Sequence, residues 1–321
     1  MGNLKRILIS FSGGKTSAKM TRDLLKKYEA IWFPEHKMFL GIERLDGMIF
    51  TVEIIVVFAN TSKENEATLE FVRDCDMYLG FHTIWIEAII NEHGVGATYR
   101  IVNYETACRN GDVYESVIAK HGIPNIENLH CTRELKTVPI TKLVRDYGWG
   151  NLTYETAIGF RIDEPKRWKK KKQRESQVAK KHIYYFVDEK PTTKLQINGW
   201  WSFQKFNLQL EDHEGNCDLC YKKSENKTIA IVGCNPNKAV WWEKMELKYG
   251  EYTPESRIEN AKPPYTFYRN NTSIKQIREK SDKWFADAKG NEVAMQVYKD
   301  ALLNNYNPKQ LKLCNESCEP F

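Results

Sequence analysis

Residues 4–28 read LKRILISF, then SGG, then KTSAKMTRDLLKKY, and they constrain the fold more than any other segment. The first eight are a short apolar run with β-branched members, the pattern of a buried strand. In the last stretch Met20, Leu24 and Tyr28 recur at helical spacing. The order is therefore strand, glycine turn, helix. Such a turn lets successive backbone N–H groups converge on an anion, and the helix N-terminus adds its partial positive charge. Ser12, Thr16 and Ser17 offer hydroxyl donors, and Lys15 offers a cation. The Walker A loop shares the ending Gly14-Lys15-Thr16, but Ile9 stands where its first glycine belongs, inside the strand. A tight turn that binds nothing is the other reading of the same residues.

The same grammar continues downstream. EIIVVFAN at 53–60 reads as a fully apolar strand of the kind buried in parallel sheets, and it leads into a helix marked by Leu69, Val72 and Cys75. FHTIWIEA at 81–88 is a third strand candidate. Residues 134–148 give a helix and TYETAIGF at 153–160 another strand. Strands alternating with helices predict an α/β fold, a doubly wound parallel sheet that binds ligands beyond the carboxyl ends of its strands. Residues 89–130 read as a substrate-facing insertion with one helix near 111–120. The expected organisation is a nucleotide-binding domain over 1–165, a basic flap or linker over 166–182, and a smaller, irregular C-terminal module over 183–321. That module contains most of the tryptophans and several cysteines.

A chain of 321 residues has room for an enzyme core plus such a module. No apolar run approaches the roughly 18 residues of a membrane span, and residues 7–11 are too short for a signal-peptide core. A soluble, cytoplasmic protein with no membrane partner is expected, in the host cytoplasm if phage-encoded. The net charge of +6 suits phosphate-bearing ligands without specifying one. Eight cysteines are too few for a disulfide scaffold and point instead to metal or redox chemistry.

The glycine loop resembles the S-G-G-x-[D/T]-S signature of the PP-loop adenine nucleotide α-hydrolase superfamily. More narrowly, the chain resembles its phosphoadenosine phosphosulfate (PAPS) reductase-like branch found in phages and bacteria. ANTSKENEATLEFV after the second strand is similar to that family's N-T-G-K-E segment, with Ser62 in place of glycine. IVNYETACRNGDVYESVIAKHGIPN, HCTRELKTVP, IGFRIDEPKR, GNCDLCYKKS and WWEKMEL follow in the expected order. The resemblance implies that ATP or PAPS binds through Ser10, Ser12, Gly13, Gly14, Lys15, Thr16 and Ser17, with Phe58, Asn60, Gly159, Arg161 and Asp163 completing the site. It implies cleavage at the α-phosphate, giving an adenylated intermediate and pyrophosphate, with sulfur transfer as a following step. Lys15 and Arg161 would act on the phosphates, while Cys131 or Cys318 would handle sulfur. A magnesium ion is expected, with Asp163 or Glu164 as a candidate ligand; a capped surface turn is the plainer reading of those two carboxylates.

Cys217 and Cys220 have C-x-x-C spacing, and Cys314 with Cys318 could supply a second pair. Four thiolates suit zinc or an iron-sulfur cluster, and reduced structural or redox thiols are the alternative. Cys131 lies beside His130, Arg133 and Lys136, an electropositive neighbourhood of the kind that activates thiols. A strict PAPS reductase, working with a thioredoxin-like reductant, would carry an E-C-G-L-H tail. This chain has only Glu316-Ser317-Cys318 there. Lys166, Arg167, Lys169, Lys170, Lys171, Lys172 and Arg174 surround Trp168, a combination that can follow an RNA or DNA backbone or remain solvated surface. A nucleic-acid-binding protein with a vestigial nucleotide site is thus a third alternative.

Overall fold

The computed structural model describes residues 4–92, 95–150, 152–178 and 181–306. The chain forms two compact units. Unit 1 runs to Val117 and resumes over Cys131–Leu210; unit 2 takes Ile118–His130 and the chain from Glu211 onward.

Unit 1 begins with β1 (Leu4–Ser10), α1 (Lys15–Lys27), β2 (Ile31–Phe33), β3 (Met38–Leu45), β4 (Met48–Asn60) and α2 (Glu66–Leu79). There follow β5 (Ile84–Ile89), β6 (Thr98–Val102) and α3 (Asp112–His121), whose last turn lies in unit 2. The short α4 (His130–Thr132) and a π-helical turn, Arg133–Thr137, run into α5 (Val138–Asp146). Next come β7 (Glu155–Ala157), α6 (Pro165–Val178), β8 (His182–Ile183), a second π-helical turn at Tyr185–Glu189, and α7 (Lys194–Ser202).

One mixed sheet holds all eight strands of the described residues. Its parallel part has the spatial order β5-β4-β1-β7-β8. The chain builds outward from β1 through β4 to β5, then returns to the other side of β1 for β7 and β8. The switch point of this mostly parallel sheet therefore lies at the carboxyl end of β1, where an open α/β sheet leaves a crevice. β4 is long enough to hold two neighbours on one edge: β3 pairs antiparallel with Met48–Ile54, and β5 pairs parallel with Val57–Asn60.

Alternation along the strands sorts the core into two faces. Ile7, Ile9, Val52, Ile54, Val56 and Phe58 pack with α1, α2 and α7. Leu8, Ile55, Val57 and Ala59 pack with Ile140, Leu143 and Val144 of α5. Helices thus cover both faces, as the continuous apolar runs of β1 and β4 require.

Three expectations change. β4 begins at Met48 rather than 53, because Asp46 and Gly47, with φ of 51° and 76°, form the left-handed hairpin turn that Asp-Gly favours. Residues 166–182 are not a flap: most of them form α6, and β8 pairs with β7 at Thr156–His182 and Ala157–Ile183. The unit boundary falls at Leu210 rather than 183, since Ile183, Tyr185, Phe186, Ile197 and Trp201 fill the α1 face of the core.

Unit 2 is helical, with α8 (Glu225–Cys234), α9 (Asn237–Tyr249), α10 (Ile274–Trp284) and α11 (Glu292–Leu303). Trp242, Phe267, Ile274, Ile277 and Phe285 are among its buried side chains. A methyl group at Gly233 would stand 2.3 Å from the Phe285 ring, so α8 can pack this closely only with glycine there. Among the described residues no helix is long and apolar enough to cross a membrane.

Candidate anion site at the switch point

The turn Ser12-Gly13-Gly14 links β1 to α1, and its geometry needs glycine at position 13. Gly13 has φ +75°, and a Cβ on it would stand 2.6 Å from Thr68 and 3.1 Å from the Phe58 ring. Gly14 is the N-cap of α1 and brings no side-chain cap; the first turn of the helix carries no acidic residue. Helix-terminal amides without a side-chain acceptor are suited to an outside anion. Ser12 is exposed and Gly14, Lys15 and Thr16 are half-buried, so the turn meets solvent.

Ser17 plays a different part from the phosphate donor expected. Its buried hydroxyl donates to Gly14 O at 2.9 Å and accepts from the Ser12 amide at 3.3 Å, with the Ser12 hydroxyl 2.9 Å away. It braces the turn from inside. Trp201 holds the turn from the other side, its indole N–H donating to Lys15 O at 2.9 Å.

The loop after β7 closes on the same point. Gly159 lies against the first turn of α1, and Arg161 donates to the Thr16 hydroxyl at 3.2 Å. The Arg161 guanidinium also meets Asp163 at 3.0 Å and Glu164 at 3.4 Å, and its side chain is only 18% exposed. Asp163 in turn accepts from the Lys194 amide at 2.9 Å. Burial alone would raise the Asp163 carboxyl, but the Lys194 amide and the Arg161 charge outweigh it and hold the group below the usual carboxylate range. Both carboxylates act as positioning groups for Arg161.

The loop after β4 is a buried polar run, Asn60 to Asn65. Asn60 donates to Glu87 at 2.7 Å and to Cys108 O at 2.8 Å, and accepts from the Ser62 amide at 3.1 Å. The Phe58 ring lies in the core against Trp85. The side chains of Phe58 and Asn60 therefore support the site from below. Ser62 has φ +64°, a left-handed backbone that favours glycine, and its hydroxyl accepts from the Tyr114 amide at 3.1 Å. Glu64, whose side chain is fully buried, accepts from Lys136 at 3.0 Å and Thr61 at 3.1 Å.

Two groups escaped the sequence reading. Glu87 is a fully buried carboxylate that accepts from Asn60, from the Cys108 amide at 2.6 Å and from Arg100 at 2.7 Å. A charge inside the otherwise apolar FHTIWIEA was its signal. Glu64 was signalled by the switch from apolar strand to unbroken polar run.

Ser10 ends β1 in register with Val57. Cys131 is half-buried, yet the cations that flank it in sequence are spent elsewhere: Arg133 on Glu134 and Lys136 on Glu64. Burial, then the charges of His121 and Arg257, pushes the His130 imidazole down to about 3, so it is neutral at physiological pH. Cys217 and Cys220 lie half-buried on a turn built around Asp218, which accepts from the Leu219 amide and the Trp242 indole. Their expected companions Cys314 and Cys318 lie outside the described residues. Among the described residues no group of three or more His, Cys, Asp or Glu side chains is placed to hold a metal ion.

These features define a mixed α/β protein with a mostly parallel central sheet and a glycine turn at its switch point. A relative is the uncharacterized nin region protein ORF290 of Escherichia phage lambda, 30% identical over 275 residues, covering 84% of this chain and 83% of that protein. The chain belongs to the family of that protein. No family model matches it. No solved structure matches it either.

Proposed function

We propose that unit 1 is a PP-loop enzyme that binds an adenine nucleotide at the Ser12–Ser17 turn and cleaves it at the α-phosphate, giving an adenylated intermediate and pyrophosphate. One observation carries the reading: Gly159 and Arg161 from β7 meet the uncapped first turn of α1 from β1, at the switch point of the sheet. The ordered segments resembling the PAPS reductase-like family support it.

In this mechanism the amides at the start of α1 and the Lys15 ammonium hold the β- and γ-phosphates and stabilise the charge that gathers on departing pyrophosphate. Arg161, held in place by Asp163 and Glu164, faces the α-phosphate and steadies its equatorial charge during attack. Magnesium accompanies such nucleotides, but Asp163 and Glu164 spend their oxygens on Arg161, Arg167 and Lys194 and do not fit as its ligands. The steps above run through the chain's own amides and cations.

Pyrophosphate release from ATP with candidate acceptors, alongside ATP binding by calorimetry, tests the reading. Lys15→Ala and Arg161→Ala should each weaken ATP binding by about tenfold or more. Wild-type protein that neither binds ATP or PAPS nor releases pyrophosphate would end it.

A further inference from the structure

Helix α6 grows out of the loop that carries Arg161, and its two sides differ. Toward the sheet, the Trp168 indole donates to Ile162 O at 3.4 Å, Lys172 pairs with Asp188 at 2.6 Å, and Glu175 binds His182 and the Tyr184 hydroxyl. On the other side Lys166, Arg167, Lys169, Lys170 and Arg174 are exposed. At 3.6 residues per turn these five cations fall within about 160° of arc. Arg167 pairs with Glu164; among the described residues Lys166, Lys169, Lys170 and Arg174 meet no carboxylate within ion-pair distance. Like charges four apart, as in Lys166-Lys170-Arg174, weaken a helix. Other helices of this chain use that spacing for opposite charges, as in Lys19–Asp23 and Lys142–Asp146.

We propose that this face of α6 docks the phosphate backbone of a nucleic acid and leads it toward the Arg161 end of the switch-point site. The chemistry selects the partner. The row Lys166-Lys170-Arg174 advances about 6 Å per cation, a regular ladder suited to a regular polyanion. A membrane-surface helix would need apolar residues opposite its charges, whereas the inward side here offers Trp168 among Lys172 and Glu175. Trp168 is an anchor and not a stacking platform, because its indole N–H is bonded and Lys169 and Lys172 lie over its ring at 5.6 and 5.5 Å. Binding is consequently independent of sequence and sensitive to salt. Resting on the nucleotide reading above, the docked strand is also the acceptor of the adenylyl group.

The test is fluorescence anisotropy of the full chain with labelled 20-mers of single-stranded RNA, single-stranded DNA and duplex DNA, over a salt series. The comparison is a variant combining Lys166→Gln, Lys169→Gln, Lys170→Gln and Arg174→Gln. Wild type should bind at least one probe, and the variant should bind it more than about tenfold more weakly at low salt. Its slope of log affinity against log salt should be shallower by about 3, the release expected for four lost phosphate contacts. Circular dichroism and ATP affinity should not change. No wild-type binding to any probe, or equal affinity and slope in the variant, overturns the docking surface. Arg161→Ala that loses ATP but keeps the probe separates this surface from the nucleotide site. Pyrophosphate release that bound probe does not stimulate removes the acceptor role.

Discussion

A methyl group placed on Gly159 would stand 3.0 Å from both the amide nitrogen and the α-carbon of Ser17. A loop and a helix turn more than 140 residues apart in sequence thus meet backbone to backbone, at the point where α1 starts. Neither partner atom can swing aside as a side chain would. Gly159→Ala should destabilise unit 1 by about 1–3 kcal/mol, the usual result of overpacking. It should also weaken ATP binding. Urea unfolding and calorimetry check both, and an alanine variant of unchanged affinity would show that the close approach does not shape the site.

Arg161 is held as a fork, with Thr16, Asp163 and Glu164 around its guanidinium. Arg161→Lys keeps the charge and loses the planar geometry, so ATP affinity should fall by about tenfold. Arg161→Ala should be worse, since it removes the charge as well as the fork. If lysine restores full affinity, the site uses charge alone.

Trp201 is fully buried and donates to Lys15 O. Trp201→Phe keeps most of the apolar contact but removes that hydrogen bond, while the carbonyl keeps its place in the helix ladder, at a cost of about 0.5–1.5 kcal/mol. Trp201→Ala should cost about 3–5 kcal/mol through the cavity it leaves. Thermal unfolding measures both, and a larger effect of phenylalanine on ATP affinity than on stability would tie the indole to the turn itself.

Burial raises the Glu246 carboxyl to about 7, although the amides of Phe267 and Ile274 both donate to it and work in the opposite direction. The folded state therefore holds this proton more tightly than the unfolded chain does. The stability so contributed is complete below pH 4.5 and is lost as the pH rises through about 7. The difference in unfolding free energy between wild type and Glu246→Gln should fall by roughly 3 kcal/mol across that window, at about 1.4 kcal/mol per unit. Denaturant unfolding over a pH series measures it; a flat difference would mean that the carboxyl titrates normally.

Much of unit 1 was legible because its signals are local. The apolar run of β1, the glycine turn and the stripe Met20, Leu24 and Tyr28 lie within 25 consecutive residues, and β4, the polar run after it and α2 within 32. Less legible was β8, two residues long, which owes its existence to pairing with β7. The basic run looked like a solvated flap because its charges dominate the composition. Only the contacts of Trp168, Lys172 and Glu175 with the sheet side reveal an anchored helix.

The sequence by itself determined that a glycine turn follows a buried strand and starts a helix, since backbone freedom and hydrophobic periodicity act over a few residues. Which groups surround that turn was decided only by tertiary structure. The return of the chain to the far side of β1 brings Gly159 and Arg161 to Thr16 and Ser17, and α7 brings Trp201 to Lys15. It also turned Ser17, Asp163 and Glu164 from expected ligand contacts into supports, because a hydroxyl or carboxylate bonds to whichever donor or acceptor the fold places nearest.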